Sequence, residues 1–311
     1  MKMKVIGIVG PTASGKTALS LQVAQRLHGE IICMDSMQIY RGMDIGTAKP
    51  TREERARVPH HMLDILPPEA SYSVSQYARD AGAVIEKTAV PLLVGGTGMY
   101  LQSLSLPMEY GAAGGDEAIR RKYHQLADEQ GPQKVHDRLR QIDPVSAERL
   151  HPNDLRRVIR AIEVFEITGV PLSRQKMPSP ADAPFDFRLF ALDLPRDILY
   201  RRIDERVDQM MANGLLDEVR RLLEGGLPAD AQSMQGLGYK EMVPVLRGDL
   251  RLEDAVALLK VRTRHYAKRQ LTWFRRDPRI RWLPWQPGQD LSAWAGLICE
   301  DYSKGEPHGS A

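Results

Sequence analysis

Cysteine is nearly missing from this chain. With only Cys33 and Cys299 present, neither a disulfide framework nor a cysteine-built metal cluster can form. Cys33 lies within an apolar run and reads as a small buried hydrophobe. Long hydrophobic runs are also missing. None approaches the roughly 20 residues needed to cross a bilayer, so no membrane partner is expected. Met1-Lys2-Met3-Lys4 leads into an apolar segment without signal-peptide architecture, and the expected compartment is the cytoplasm. No internal repeat is visible. His60 and His61 are adjacent and lack the i,i+4 spacing of a helical zinc site, so local packing or hydrogen bonding is expected there rather than metal binding. The formal net charge of +3 is too small to establish a polyanionic partner by itself. At 311 residues the chain can hold two domains, or one core with a large insertion.

The organising segment is Gly10-Pro11-Thr12-Ala13-Ser14-Gly15-Lys16-Thr17, an ungapped match to the P-loop pattern GxxxxGK[ST]. Val5 to Val9 before it reads as a buried strand. Leu19, Leu21, Val23, Ala24 and Leu27 after it recur at helical spacing. In that setting backbone N–H groups and a helix dipole point at a phosphate, Lys16 adds a mobile cation, and the Thr17 hydroxyl is placed to ligate Mg²⁺. The loop specifies phosphate without specifying ATP, since any organic diphosphate satisfies the same donors.

Two more strands are expected to end at the same sheet edge. Glu30 to Met34 leads to Asp35, and Val90 to Val94 leads to a glycine turn, Gly95-Gly96-Thr97-Gly98. In open α/β sheets, ligands bind at the carboxyl ends of the strands. Asp35 there can cap a turn, hold Mg²⁺ through water, or act as a general base. Residues 75–87 read as a helix with Ser73 or Ser75 as N-cap. A phosphate cradle, a carboxylate and a hydroxyl thus converge.

From about residue 111 the character changes. Gly111 to Gly115 reads as a hinge, and residues 116–143 are polar and helix-forming. His151-Pro152-Asn153-Asp154 opens another helix, with Asn153 expected as N-cap; that helix ends near Gly169. Arg156, Arg157 and Arg160 give its first turns a basic rim that suits backbone phosphates or simple solvent exposure. Residues 173–184 read as a returning linker. Phe187 to Leu192 is a further core strand, and Pro195 opens a long helix carrying Arg202 and Arg206 at i,i+4. This pair can close over a diphosphate or form salt bridges with Asp204 and Glu205. Gln235 to Lys240 reads as a glycine-punctuated turn. Residues 252–274 read as a helix, with Lys and Arg dense from Lys260 to Arg281 and Asp277 the single acidic residue; this is either a polyanion-binding face or a solvated helix surface. Arg279 to Leu283 is the last expected strand, and the polar tail from Lys304 is expected to be disordered. The expected fold class is α/β: a P-loop NTPase-like parallel sheet with helices on both faces and a helical insertion. The expected domains are a core over 1–112 and 186–311, with the insertion at 113–185.

These motifs together resemble the bacterial tRNA isopentenyltransferases (tRNA dimethylallyltransferases). The similarity runs through GPTASGKT (10–17), MDSMQIYRGMDIGTAKP (34–50), LVGGTGMYL (93–101), HPNDLRRVIRAIE (151–163), QGLGYK (235–240) and KRQLTWFR (268–275). The resemblance implies transfer of a dimethylallyl group from dimethylallyl diphosphate to N6 of the adenosine 3′ of the anticodon, in tRNAs reading codons that begin with U. It implies Mg²⁺ as cofactor and a monomer working on the anticodon stem-loop. By resemblance, Gly10 to Thr17 hold diphosphate. Asp35, Thr97, Lys16, Arg202 and Arg206 serve catalysis, with Asp35 removing the N6 proton. Gln38 reads the edge of the flipped base, and Asp35, Ser36, Met37, Gln38 and Thr97 are tRNA-binding residues. Arg120, Arg156, Arg157, Val158, Ile159, Arg160 and Gln235, Gly236, Leu237, Gly238, Tyr239, Lys240 contact tRNA. The rival readings are an isopentenyltransferase acting on free adenine nucleotide, an ATP-dependent small-molecule kinase, and an RNA-binding P-loop protein without chemistry.

Overall fold

The computed structural model describes residues 2–106, 115–175, 182–285, 288 and 290–304. The chain divides into two compact units, Met1–Ser105 with Ala183–Ala311, and Leu106–Asp182.

The first unit is built on six parallel strands: β1 (Met3–Val9), β2 (Glu30–Met34), β3 (His60–His61), β4 (Pro91–Gly95), β5 (Phe185–Asp193) and β6 (Ile280–Pro284), in the order β3-β2-β4-β1-β5-β6. Four helices fall before the second unit: α1 (Lys16–Leu27), α2 (Arg52–Arg57), α3 (Val74–Lys87) and α4 (Gly98–Ser105). Helices α5 (Glu117–Gln130), α6 (Pro132–Ile142), α7 (Pro144–Arg149) and α8 (Leu155–Thr168) belong to the second unit. The first unit resumes with α9 (Arg196–Ala212), α10 (Leu215–Glu224), α11 (Tyr239–Arg247), α12 (Leu252–Phe274) and α13 (Leu291–Lys304).

Side-chain alternation along the strands fills a core on each sheet face. Val5 and Val9 join Leu93, Leu189 and the apolar sides of α3, α4, α10, α11 and α12. Ile6 and Ile8 point the other way, into Leu92, Phe190, α1 and α13. Burial on both faces is why these strands read as continuous apolar runs. The register sets the site. Val9 pairs with Gly95, and Gly95 with Met34, so β1, β4 and β2 end in one row and release Gly10, Gly96 and Asp35 side by side.

Several local expectations meet corrections. Asn153 is not the cap of α8. Its N–H binds His151 Nδ1 (3.2 Å) within a turn, and Asp154 takes the cap position without a side-chain cap bond, its carboxylate meeting Arg157 instead (3.2 Å). Ser73 does cap α3, in a capping box with Gln76. The His60–His61 edge strand, too short to show periodicity, was not expected. His60 Nδ1 lies 2.7 Å from the Val58 carbonyl and His61 Nε2 2.5 Å from Glu30 Oε2. Helix α13 was also unforeseen, and Lys304 is its last residue. Of the expected hinge, linker and tail, residues 111–114, 176–181 and 305–311 lie outside the described residues. In the second unit, Tyr123, Val135, Leu139, Val158, Ile159 and Ile162 form the core.

Candidate active site

The phosphate loop leaves β1 through Gly10 (φ 132°), passes Ala13 (φ 62°) and enters α1 through Gly15 (φ 98°). Left-handed backbone at Gly10 and Gly15 is open to residues without a Cβ, which is what the spacing of the motif requires. Lys16 Nζ donates to the Pro11 carbonyl at 2.5 Å, folding the side chain back over the loop. Ser14 is buried, and its Oγ has no hydrogen-bond partner among the described residues. Thr17 is exposed in the first turn of α1.

Helix α9 brings both expected arginines to this loop. Arg206 donates to Thr12 Oγ1 (3.3 Å), and an Arg202 guanidinium nitrogen lies 3.7 Å from where a Cβ on Gly15 would stand. Arg202 also lies over the Trp285 ring, 4.4 Å from its centroid. The competing salt bridges are taken by other cations. Asp204 binds Arg264 (2.6 Å), and Glu205 lies 3.9 Å from Arg201. Three cations therefore crowd one loop. Burial and the Arg206 charge bring the Lys16 ammonium down to about 7, against an opposing pull from Asp35. Burial and Arg202 lower Arg206 in the same way. Mutually repelling cations gathered at one loop suit an anion. A cavity of about 1010 Å³ adjoins it, lined in part by Ala13, Gly15, Arg41, Lys49, Arg202 and Arg206.

Asp35 stands at the end of β2. Its Oδ1 accepts the backbone N–H groups of Met37 (2.8 Å) and Gln38 (3.4 Å), while Oδ2 accepts no hydrogen bond among the described residues. Burial pushes its carboxyl above the usual range, and the two N–H groups and Lys16 oppose that rise. Thr97 is laced to the same turn: its N–H donates to the Met34 carbonyl (3.2 Å), and its Oγ1 accepts from Ser36 N–H (3.3 Å). The structure thus brings Lys16, Thr17, Arg202, Arg206, Asp35 and Thr97 to one sheet edge.

Other expected contacts serve the protein itself. Gln38 has its amide committed: Oε1 accepts the Cys33 thiol (3.2 Å), and Nε2 donates to the Thr47 (3.0 Å) and Ala48 (3.2 Å) carbonyls, pinning that loop beside Asp35. The segment 235–240 is not a simple turn. A short 3₁₀ turn spans Ser233–Gln235, and α11 starts at Tyr239; Gly236, Gly238 and Tyr239 are buried, Leu237 and Lys240 half-buried, and Gln235 exposed. The Tyr239 hydroxyl donates to buried Glu218 (2.6 Å), whose carboxylate also accepts the N–H groups of Asp44 (3.0 Å), Ile45 (2.9 Å) and Gly46 (3.2 Å). The Val158 and Ile159 side chains are buried in the core of the second unit. Arg120 and Arg160 hold buried Glu163 at 2.8 and 2.5 Å, while Arg156 and Arg157 are exposed. The basic cluster is largely neutralised as well. Lys260 pairs with Asp208, Arg262 with Glu241, Arg264 with Asp204, Arg275 with Asp193, Arg279 with Asp277 and Arg281 with Asp301. Lys268 and Arg269 remain exposed.

Sequence reasoning missed what the opposite side of α12 does. Tyr266, Gln270 and Trp273, at i, i+4 and i+7, face the glycine turn after β4. Tyr266 lies near Thr97 and Gln270, and burial and the nearby Asp35 charge push its hydroxyl's pKa up. Gln270 bridges Thr12 N–H (2.9 Å) and the Gly96 carbonyl (2.8 Å). Trp273 covers Gly98, where a Cβ would lie 2.2 Å from its indole. The signal was this spacing, hidden within a helix conspicuous for its charge.

Comparison with known proteins agrees with this geometry. The profile of the IPP transferase family matches residues 38–277, and that of isopentenyl transferase matches residues 3–64. The chain is 49% identical to a tRNA dimethylallyltransferase of Pelotomaculum thermopropionicum over 96% of each chain. It is 46% identical to that of Geobacter metallireducens, over 93% of this chain and 94% of the relative. Among solved structures it is similar to the full-length tRNA isopentenylpyrophosphate transferase of Bacillus halodurans (TM-score 0.71, 42% identity, 97% and 99% of the two chains). It is also similar to a eukaryotic dimethylallyltransferase acting on tRNA (TM-score 0.82, 32% identity, 98% and 80%). With relatives this similar over nearly its whole length, the chain belongs to the IPP transferase family, that of the tRNA dimethylallyltransferases.

Proposed function

We propose that this enzyme transfers the dimethylallyl group of dimethylallyl diphosphate to the exocyclic N6 of the adenosine 3′ of the anticodon, in tRNAs reading codons that begin with U. It acts as a cytoplasmic monomer; among the described residues no helix is long and apolar enough to cross a membrane. The observation that carries the reading is a cation-rich phosphate loop at the end of β1 and a carboxylate oxygen left unbonded at the end of β2, on the same sheet edge with β4 between them.

In this reading the diphosphate occupies the loop of Gly10 to Thr17 and displaces Lys16 from the Pro11 carbonyl. As the allylic C–O bond breaks, its electron pair passes to the diphosphate. Lys16, Arg202 and Arg206 offset the charge that builds there, and this electrostatic contribution is expected to dominate. The carbon left behind is carbocation-like. The adenine amine is a weak nucleophile because its lone pair is delocalised into the ring. Asp35 Oδ2 accepts one N6 proton as the new C–N bond forms, and Oδ1 keeps its backbone donors, which hold the carboxylate in place. Thr97 lies beside the acceptor, and the adenine must leave the anticodon-loop stack to reach it, at a cost of a few kcal/mol. Exposed Arg156 and Arg157 contact the RNA backbone.

The residues suit Mg²⁺ at the phosphate loop. No cluster of three His, Cys, Asp or Glu able to cage a metal occurs among the described residues, whereas Thr17 is exposed in the first turn of α1 and the loop holds the unpartnered Ser14 Oγ. That is the sparse protein ligation Mg²⁺ accepts when phosphates and water complete its shell. Bound there by Thr17, the ion would supply charge stabilisation to the departing diphosphate.

The test is incubation of the protein with dimethylallyl diphosphate and unmodified tRNA, followed by mass analysis of the anticodon loop. One added dimethylallyl group on the adenosine 3′ of the anticodon is expected, without ATP hydrolysis at a comparable rate. Phosphorylation of a small acceptor with no prenyl transfer would refute the reading.

A further inference from the structure

We infer that Gln270 is a positioning residue for prenyl transfer, one that fixes the spacing between the diphosphate-holding loop and the Thr97 turn where the acceptor amine is received. The inference rests on the reading just proposed. Gln270 is 6% exposed and lies on α12, the helix that crosses the carboxyl edge of the sheet. Its amide is used at both ends. Oε1 accepts the Thr12 N–H at 2.9 Å, and Nε2 donates to the Gly96 carbonyl at 2.8 Å. These partners fix the orientation of the amide, because Thr12 can only donate and Gly96 can only accept.

The neighbourhood leaves no slack. A Cβ built on Gly96 would stand 2.2 Å from Gln270 Nε2 and 3.1 Å from the Gly10 carbonyl. Glycine at 96 therefore lets the amide and the start of the phosphate loop close onto the turn that carries Thr97. Tyr266, one helical turn earlier, lies near both Thr97 and Gln270. Since the Thr12 N–H is already given to Gln270, Thr12 reaches the phosphate site through the rest of its loop and not through this donor. The reaction needs the breaking C–O bond and the N6 lone pair in line. An error of about 1 Å between donor loop and acceptor turn is enough to lose roughly 10²-fold in rate.

Two substitutions test this. Gln270→Met keeps length and volume and removes both hydrogen bonds. The expected result is a kcat lower by about 10- to 10²-fold, with KM for dimethylallyl diphosphate and for tRNA each within about threefold of wild type. Rates are normalised to sites counted by labelled pyrophosphate binding, so a partly folded preparation is corrected for. Gln270→Glu adds a readout that a purely structural role would not move. A protonated carboxyl offers one acceptor and one donor, as the amide does, whereas the carboxylate turns an oxygen toward the Gly96 carbonyl. The ratio of Gln270→Glu to wild-type kcat should therefore rise as pH falls and the carboxyl takes up its proton, and drop as pH rises and it is lost. A Gln270→Met kcat within about twofold of wild type, or a ratio for Gln270→Glu that stays flat between about pH 5 and 8, would overturn the inference. Failure of the wild-type enzyme itself to transfer the prenyl group would instead defeat the parent reading, and the inference with it.

Discussion

Gly46→Ala is expected to destabilise the sheet unit by about 2–4 kcal/mol, although position 46 lies in a loop. An added Cβ would stand 2.5 Å from Tyr239 Cε2, 2.6 Å from Cζ and 2.9 Å from the hydroxyl oxygen. Tyr239 is fully buried, so its ring has no free direction in which to move. Forced overpacking of this kind costs about 1–3 kcal/mol. Any shift of the ring also weakens the 2.6 Å bond to Glu218, a buried carboxylate, and a hydrogen bond to a charged group contributes about 1.5–3 kcal/mol. Glu218 keeps its backbone donors from residues 44–46, which puts the total below the sum of the two maxima. All four tryptophans (Trp273, Trp282, Trp285 and Trp294) fall in this unit, so their fluorescence during urea unfolding follows it alone. The decisive comparison is a double-mutant cycle with Tyr239→Leu. With the ring gone the methyl group has room, and Gly46→Ala should then cost less than about 1 kcal/mol, a coupling of about 1.5 kcal/mol or more. Additivity within about 0.5 kcal/mol would falsify the argument that these two residues meet. Turnover should fall with the same substitution, since the Gln38 amide ties the adjoining Thr47 and Ala48 carbonyls to the Asp35 turn.

Asp35→Asn should lower kcat by about 10²- to 10³-fold while pyrophosphate and tRNA still bind, and equal turnover would remove Asp35 from proton transfer. Because burial raises the Asp35 carboxyl, the base is present above that raised value and is lost as pH falls through it. The acid limb of kcat should therefore lie above the usual carboxylate range and vanish in the Asn variant. In the helical unit, Glu163→Gln should cost about 2–4 kcal/mol by leaving the Arg120 and Arg160 guanidiniums without their buried partner. Burial pushes the Glu163 carboxyl up, but Arg160, the Asp116 N–H and Arg120 outweigh it and leave it lowered. Its contribution is thus complete above the ordinary carboxyl pKa and is lost as pH falls through the lowered one. A far-UV circular dichroism transition should shift while the tryptophan transition stays, since that unit holds no tryptophan. Arg157→Ala should weaken tRNA binding and reduce the slope of log K against log salt by about 1. A change confined to pyrophosphate affinity would place Arg157 outside the RNA-binding surface.

Much of the site was legible because a parallel sheet sends every strand's carboxyl end to one edge. Gly10, Asp35 and Thr97 each follow an apolar run, so their convergence could be argued before any strand order was known. That order, with β4 seated between β2 and β1, places the three in one row, and it depends on pairings spread over some ninety residues. Charge was harder to read. The basic stretch from Lys260 to Arg281 looks unopposed because its carboxylates, Asp193, Asp204, Asp208 and Glu241 among them, sit on other elements. Glycine misled in a related way. A glycine in a functional motif marks a close approach, but the sequence does not say what approaches. At the phosphate loop, positive φ at Gly10 and Gly15 shapes a cradle for a ligand. Gly46, Gly96 and Gly98 instead make way for Tyr239, Gln270 and Trp273. The QGLGYK segment, which has the look of a ligand loop, plants Tyr239 in the core behind the Asp44–Gly46 loop. At these positions the motif residues pack against the loops at the carboxyl edge of the sheet and hold them in shape.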